Sequence, residues 1–181
     1  SEEIWHMIKC EGFASLQKWP YFEETKVDKR AEEVAKLVQS TRGDIIEVLK
    51  LTKIEKPRKI ILFIAEKWKY DFVEMLKNEM GKTRNLGEIL KSLTSTDLKI
   101  YGNEIAKLVP KFVKDETKIP QLVLSQEIEF HAIADASNDF EEEFKCSIEV
   151  MTAENSGEAK AKQSFPSKAA GTWRSSRARA S

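Results

Sequence analysis

Lys59-Ile60-Ile61-Leu62-Phe63-Ile64-Ala65-Glu66-Lys67-Trp68-Lys69-Tyr70-Asp71-Phe72 is the stretch on which the fold turns. Residues 60–64 are an unbroken apolar run rich in β-branched side chains. That is short enough for a strand and too short for a buried helix. Beyond Ala65 the period changes. Trp68, Phe72, Met75 or Leu76, and Met80 recur every three to four residues, which is one face of an amphipathic helix. A strand that is apolar at every position needs cover on both faces. Its backbone donors and acceptors also need partner strands.

Residues 146–152 offer the first partner. Ile148 and Val150 alternate with Ser147 and Glu149, as in a half-buried strand. Helical spacing accounts for most of the remainder. Val27, Ala31, Val34, Val38, Ile45, Val48 and Leu49 predict the longest helix over 27–51, opened by a Thr25-to-Asp28 cap signal. Gly43 lies inside that helix at a cost of about 1 kcal/mol relative to Ala. Pro57 biases Lys56 away from helical angles, so a domain boundary is expected at 56/57. Leu86, Ile89, Leu90 and Leu93 predict a short helix. Leu98, Tyr101, Ile105, Leu108, Phe112 and Val113 predict another, which Pro110 is expected to kink or to split at Val109. Ser125 can cap a further helix carrying Ile128, Ile133, Phe140 and Phe144. Helices from 66–80, 97–113 and 125–144 are expected to cover the sheet, with Trp68 as a buried structural residue. At the N-terminal side, 3–8 reads as the end of a helix stopped at Gly12, followed by a connector pinned by Phe13, Leu16 and Trp19.

With 181 residues, 41% hydrophobic and 33% charged, the chain has the composition of a soluble, charge-rich protein with one good core. No apolar run approaches the roughly 18 residues of a membrane span. Ser1-Glu2-Glu3 is neither a signal peptide nor an ordinary start, as in a fragment or a processed chain. Cys10 and Cys146 stand alone, and two reduced thiols are expected, as in a cytoplasmic protein. His6 and His131 have no ligand-spaced neighbours, so no metal site is expected.

The formal net charge is zero, so any argument for nucleic acid rests on local clustering. From residue 158 to the end there are six cations against one carboxylate, a local excess of +5. Residues 169–181 hold too few apolar side chains to fold alone, and a disordered tail is expected there. Phosphate-binding glycine loops and the nucleophile elbow are absent from the sequence. Asp135 and Asp139 lie one turn apart but read as solvated surface. No catalytic residue is proposed on these grounds, and the residues alone indicate a non-catalytic α+β module, predominantly helical.

Several segments resemble one family. Glu2-Glu3-Ile4-Trp5, Gly12-Phe13-Ala14-Ser15-Leu16 and Trp19-Pro20 look like the closing segment of the anticodon-binding helical bundle in class I synthetases for leucine, isoleucine and valine. Lys56-Pro57-Arg58-Lys59-Ile60, Ala65-Glu66-Lys67-Trp68-Lys69, Tyr101-Gly102-Asn103-Glu104-Ile105-Ala106-Lys107-Leu108-Val109 and Ala159-Lys160-Ala161-Lys162-Gln163 resemble the carboxy-terminal region of archaeal-type leucyl-tRNA synthetases. The likeness runs over residues 2–168.

The resemblance implies three parts. Residues 1–56 would end the anticodon-binding bundle. Residues 57–168 would form a carboxy-terminal tRNA-binding α+β domain, a small sheet covered by helices. Residues 169–181 would be an aberrant tail. It implies a cytoplasmic role in protein biosynthesis, with tRNA(Leu), through its variable arm and body, and the remainder of the synthetase as partners. ATP and Mg would serve an upstream catalytic domain, with no cofactor in this chain.

Two features depart from the family pattern. Pro110 lies where a continuous helix is usual. Pro166-Ser167-Lys168 is followed by Ala169-Ala170-Gly171-Thr172-Trp173 in place of a closing apolar strand. The candidate tRNA contacts are Lys160, Lys162, Gln163 and Lys168, with Lys67, Lys69 and Lys107 on helices. A protein-interaction module, with the bundle helices and Trp68 docking a partner, and an enzyme with an unrecognised site are the alternatives.

Overall fold

The computed structural model describes residues 2–18 and 27–175. Trp19, Pro20 and Thr25, which carry part of the family likeness and the expected cap, lie outside these, as do Arg177 and Arg179 of the basic end.

β1 (Pro57–Ile64) is the central strand of a three-stranded sheet. β2 (Ser147–Thr152) pairs with it in parallel, setting Ile60 beside Ile148 and Leu62 beside Val150. On the other side β3 (Ala170–Ser175) pairs with it antiparallel, setting Ile60 beside Trp173 and Leu62 beside Gly171. The expected pairing of the two sequence-predicted strands is therefore present. The unstructured tail expected from residue 169 is not, because 170–175 form β3. Ala170, Gly171 and Thr172 pack little of their own, but β1 supplies an open edge. Gly171 also makes room for its neighbour: a Cβ there would lie 3.1 Å from the Trp173 ring.

The two faces of β1 are covered differently. Ile60, Leu62 and Ile64 face a cluster containing Leu37 and Ile45 of α2 (Lys29–Thr52), Ile133 of α6 (Gln126–Asp135) and Phe140 of α7 (Ser137–Phe144). Ile61 and Phe63 face Ala153 and Ala161, small residues on short 3-10 turns that let irregular backbone approach the sheet. All five strand side chains are at most 5% exposed. Each such burial is worth roughly 1.5–3 kcal/mol, so this strand alone matters on the scale of a domain's net stability.

α2 is the longest described helix, 24 residues, and runs unbroken through Gly43. Its N-cap is Asp28, whose carboxylate accepts from the Arg30 and Ala31 amides. The boundary expected at Lys56 is a turn, with Lys53 in the left-handed region (φ 52°), and not a gap in packing. The buried side chains of α2 share one cluster with β1.

α3 (Lys67–Met80), α4 (Leu86–Thr94) and α5 (Gly102–Lys114) form a second cluster of their own. Of the expected helical covers, only α6 and α7 lie on the sheet. Among the described residues of α3, only Tyr70 joins the sheet cluster. α5 continues through Pro110 without a break. Pro110 is exposed, while Ile105, Val109 and Phe112 hold the opposite side in the core. α1 (Glu2–Met7) is joined to the turn at 14–16 by the Glu2 carboxylate, which accepts from the Ala14 and Ser15 amides at 2.7 and 3.0 Å.

Trp68 is 6% exposed, as its place on the α3 stripe predicts. Its ring stacks on Tyr101 with centroids 4.3 Å apart and planes 8° off parallel, and its Nε1 donates to Glu66 Oε2 at 2.6 Å. Trp68→Ala should lower stability by about 3–5 kcal/mol in chemical denaturation. A change near zero would show that the ring belongs to the surface and not to the core.

Candidate nucleic-acid interface

The basic segment after Glu158 is folded. Ala161, Ser164 and Pro166 are buried, while Lys160, Lys162, Gln163 and Lys168 are exposed. The segment therefore has a core role. Two interactions fix it from below. The Lys69 ammonium donates to the carbonyls of Lys162 and Ser164 at 2.7 and 2.9 Å. The Glu129 carboxylate accepts from the Ser167 amide at 2.6 Å and from the Tyr70 hydroxyl at 2.7 Å. Between these anchors Phe165 stacks on Phe112, with centroids 4.8 Å apart. Phe165 and Lys168 bond to each other across a tight turn, with Ser167 at φ 63°. An L-residue rarely sits there without support, and the Glu129 bond to its amide supplies it.

This geometry sorts the candidates. Lys160, Lys162, Gln163 and Lys168 stand together on one exposed loop. Lys160 also lies over the Trp173 ring, 5.0 Å from its centroid. Lys69 does not belong to the surface. It is 3% exposed, its ammonium is held by two carbonyls, and burial lowers its pKa. It lies on the α3 stripe with Phe72, Val73 and Leu76, which carries it inward.

Lys67 is exposed but stands apart from the loop. It lines a cleft of about 530 Å³ with Arg30 and the carboxylates of Asp71, Glu74 and Glu127, so the local balance there is not cationic. The Lys67 amide, at the start of α3, donates to Glu154 Oε1 at 2.6 Å. Lys107 is exposed on α5, the helix on which Phe165 packs. Glu129 and Tyr70 escaped the sequence reading as anchors of the loop. The signal was present: Glu129 shares a helical stripe with the buried Ile133 and Phe140.

Among the described residues no group of three or more His, Cys, Asp or Glu could hold a metal ion. No described helix is long and apolar enough to cross a membrane.

Comparison with known proteins adds the lineage. No family model matches the chain. The leucine–tRNA ligase of Pyrococcus horikoshii is 28% identical over 93% of this chain and 17% of its own length. That of Pyrococcus furiosus is 30% identical over the same shares. That of Methanocaldococcus jannaschii is 32% identical over 65% of this chain and 12% of its own. A predominantly helical α+β segment with these relatives is part of the aminoacyl-tRNA synthetase class. Within that class the chain belongs with the archaeal-type leucyl-tRNA synthetases and corresponds to their carboxy-terminal region. It spans about 17% of the length of the first two relatives.

Glu129 gives the loop a pH dependence. Burial pushes its carboxyl up to about 7, against the lowering effect of the Tyr70 hydroxyl and the Ser167 amide. The folded chain therefore holds this proton across a range in which the unfolded chain, at 4.5, has lost it. Stability from this group is full below the unfolded value and is lost as pH rises through about 7. Glu129→Gln keeps the shape of the protonated carboxyl and cannot ionise. Between pH 5 and pH 8 the native chain should lose on the order of 2–3 kcal/mol that the variant keeps. Parallel denaturation curves at the two pH values check this, and identical slopes for both proteins would contradict it.

Proposed function

We propose that this chain is the tRNA-binding carboxy-terminal portion of a leucyl-tRNA synthetase. It positions tRNA(Leu) for an ATP-dependent leucylation carried out by a catalytic domain outside it. On this reading the chain does not aminoacylate by itself, takes no cofactor, and works in the cytoplasm with tRNA(Leu) and the remainder of the synthetase. ATP and Mg serve the catalytic part.

The observation that carries the reading is the loop of residues 160–168. Lys160, Lys162 and Lys168 are exposed on it, and among the described residues none makes an ion pair. Cations without acidic partners, on backbone already held in place, suit a polyanion's phosphates. They pay little ordering entropy on binding and act through release of condensed counterions. Gln163 adds amide donors beside them for phosphate or sugar oxygens. The lineage supports the choice of tRNA as the polyanion.

A second reading, a protein-interaction module, draws support from α1 and the turn after it. There Ile4, Met7, Ile8, Phe13 and Leu16 are all more than half exposed. Apolar side chains grouped in this way mark a contact surface. This face is the one that would meet the remainder of the synthetase, so the two readings occupy different parts of the chain.

Titration of the chain with a tRNA bearing a long variable arm, and with one lacking it, separates them. The tRNA reading predicts tighter binding of the first and a steep salt dependence. Lys160→Ala/Lys162→Ala should flatten the slope of log affinity against log salt by about two. Slope and affinity unchanged by the double substitution would remove the loop from the interface. Absence of any RNA affinity would leave the protein-interaction reading.

A further inference from the structure

β2 lies at one end of the sheet, and among the described residues no further strand pairs with it. The Ile148 amide donates to the Glu141 carboxylate at 2.8 Å and so turns away from β1. Backbone groups alternate sides along a strand, so the amide and carbonyl of Val150 and the amide of Thr152 turn the same way. Glu141 covers only the first of these positions.

A cleft of about 500 Å³ runs along this edge. Glu149, Val150, Met151 and Thr152 all line it. Successive strand side chains point to opposite faces, so four in a row line one cleft only where it follows the edge itself. The opposite wall is α6, through Glu127 and Phe130. Phe130 and Val150 pack partly buried on the same cluster, which gives the cleft an apolar floor. A free strand edge beside a helix flank suits an extended segment. Its main chain pairs with the edge, and its alternate side chains enter the space on either side.

Charge narrows the occupant. α6 and α7 contain no lysine or arginine, and Glu127, Asp135, Asp139 and Glu142 are exposed on them. Glu149 shares its charge with Lys59 at 2.7 Å, whereas among the described residues Glu127 makes no ion pair. The cations of the 160–168 loop belong to the other end of the sheet, where Lys160 lies over Trp173 of β3. A chain of zero net charge is thus acidic beside β2 and basic beside β3. The β2 side repels a polyanion and draws a cationic segment.

We propose that the cleft between β2 and α6 binds an extended, basic peptide segment of a partner protein. The segment adds a strand to the open edge, sets apolar side chains against Phe130 and Val150, and offers lysine or arginine to the rim of Glu127 and Glu149. This surface is separate from the basic loop and from the apolar face of α1, and it does not depend on the RNA reading.

The test is titration of the chain with a short peptide alternating valine and lysine, followed through backbone amide shifts in NMR. The shifts should concentrate in residues 148–152 and 126–131. Thr152→Pro removes one edge amide. Its φ of −79° already suits proline, which edge strands accept where the amide faces outward. This variant should fold and bind the peptide about tenfold more weakly, the share of one main-chain hydrogen bond. Glu127→Lys, at an exposed helix position, should weaken binding as well, and a valine–glutamate peptide should not bind. A native chain that leaves the valine–lysine peptide free overturns the proposal, as does binding that either variant leaves unchanged. Equal binding of the valine–glutamate peptide overturns the stated occupant. Displacement of the peptide by tRNA at the same amides would assign the cleft to RNA, and a dimer broken by Thr152→Pro would assign it to a second copy of this chain. Either result overturns the inference.

Discussion

β1 is apolar on both faces, and the rest of the fold follows from covering it. On one side α2, α6 and α7 supply leucine, isoleucine and phenylalanine. On the other side no α-helix among the described residues contributes a buried side chain. Irregular backbone must come close, and it does so through Ala153 and Ala161, whose small side chains let the chain lie against Ile61 and Phe63. A segment pressed on a sheet in this way carries polar backbone groups into the interior, where each needs a partner. The buried Lys69 ammonium answers this need, satisfying two carbonyls of the same segment.

Ionisable groups are costly to bury, and this molecule holds two of them beneath one loop. Lys69 and Glu129 do not pair with each other. Each instead bonds to the loop backbone, and Tyr70 completes the second site. Removing either partner would strand polar groups at a cost of roughly 1–3 kcal/mol each or more. The result is a loop whose cations face solvent while its backbone is fixed from inside. Such preorganisation is what a phosphate-binding surface gains most from, because flexible lysine side chains already lose entropy on binding.

Much of this was readable in the sequence, for reasons that can be stated. The unbroken run at 60–64 announced a central strand, and the alternation at 147–152 announced its neighbour. The stripe of Trp68, Phe72 and Leu76 announced a buried helix face. The same periodicity contained Lys69, whose charge suggested a surface role although its position placed it inside. Glu129 was obscured in the same way, as an acid on a buried stripe beside Ile133. β3 was not legible, because Ala170, Gly171 and Thr172 have weak strand character alone and pair only because β1 offers an open edge. The alanines of 153–161 gave no hydrophobic signal, yet small size was what that site required. Composition marked residues 158–168 only by their charge, whereas the contacts that fold them come from residues far away in the chain.

Hydrogen exchange across residues 158–173, first in the free chain and then with tRNA bound, tests most directly whether the core prepares this surface. The Ser167 amide bonded to Glu129 and the Phe165 and Lys168 amides bonded across their turn should already be protected in the free chain. Adding tRNA should then slow exchange further in this loop. Free exchange of these amides before tRNA is added, with protection only afterwards, would contradict the account. The loop would then be shaped by the RNA and not by Lys69 and Glu129.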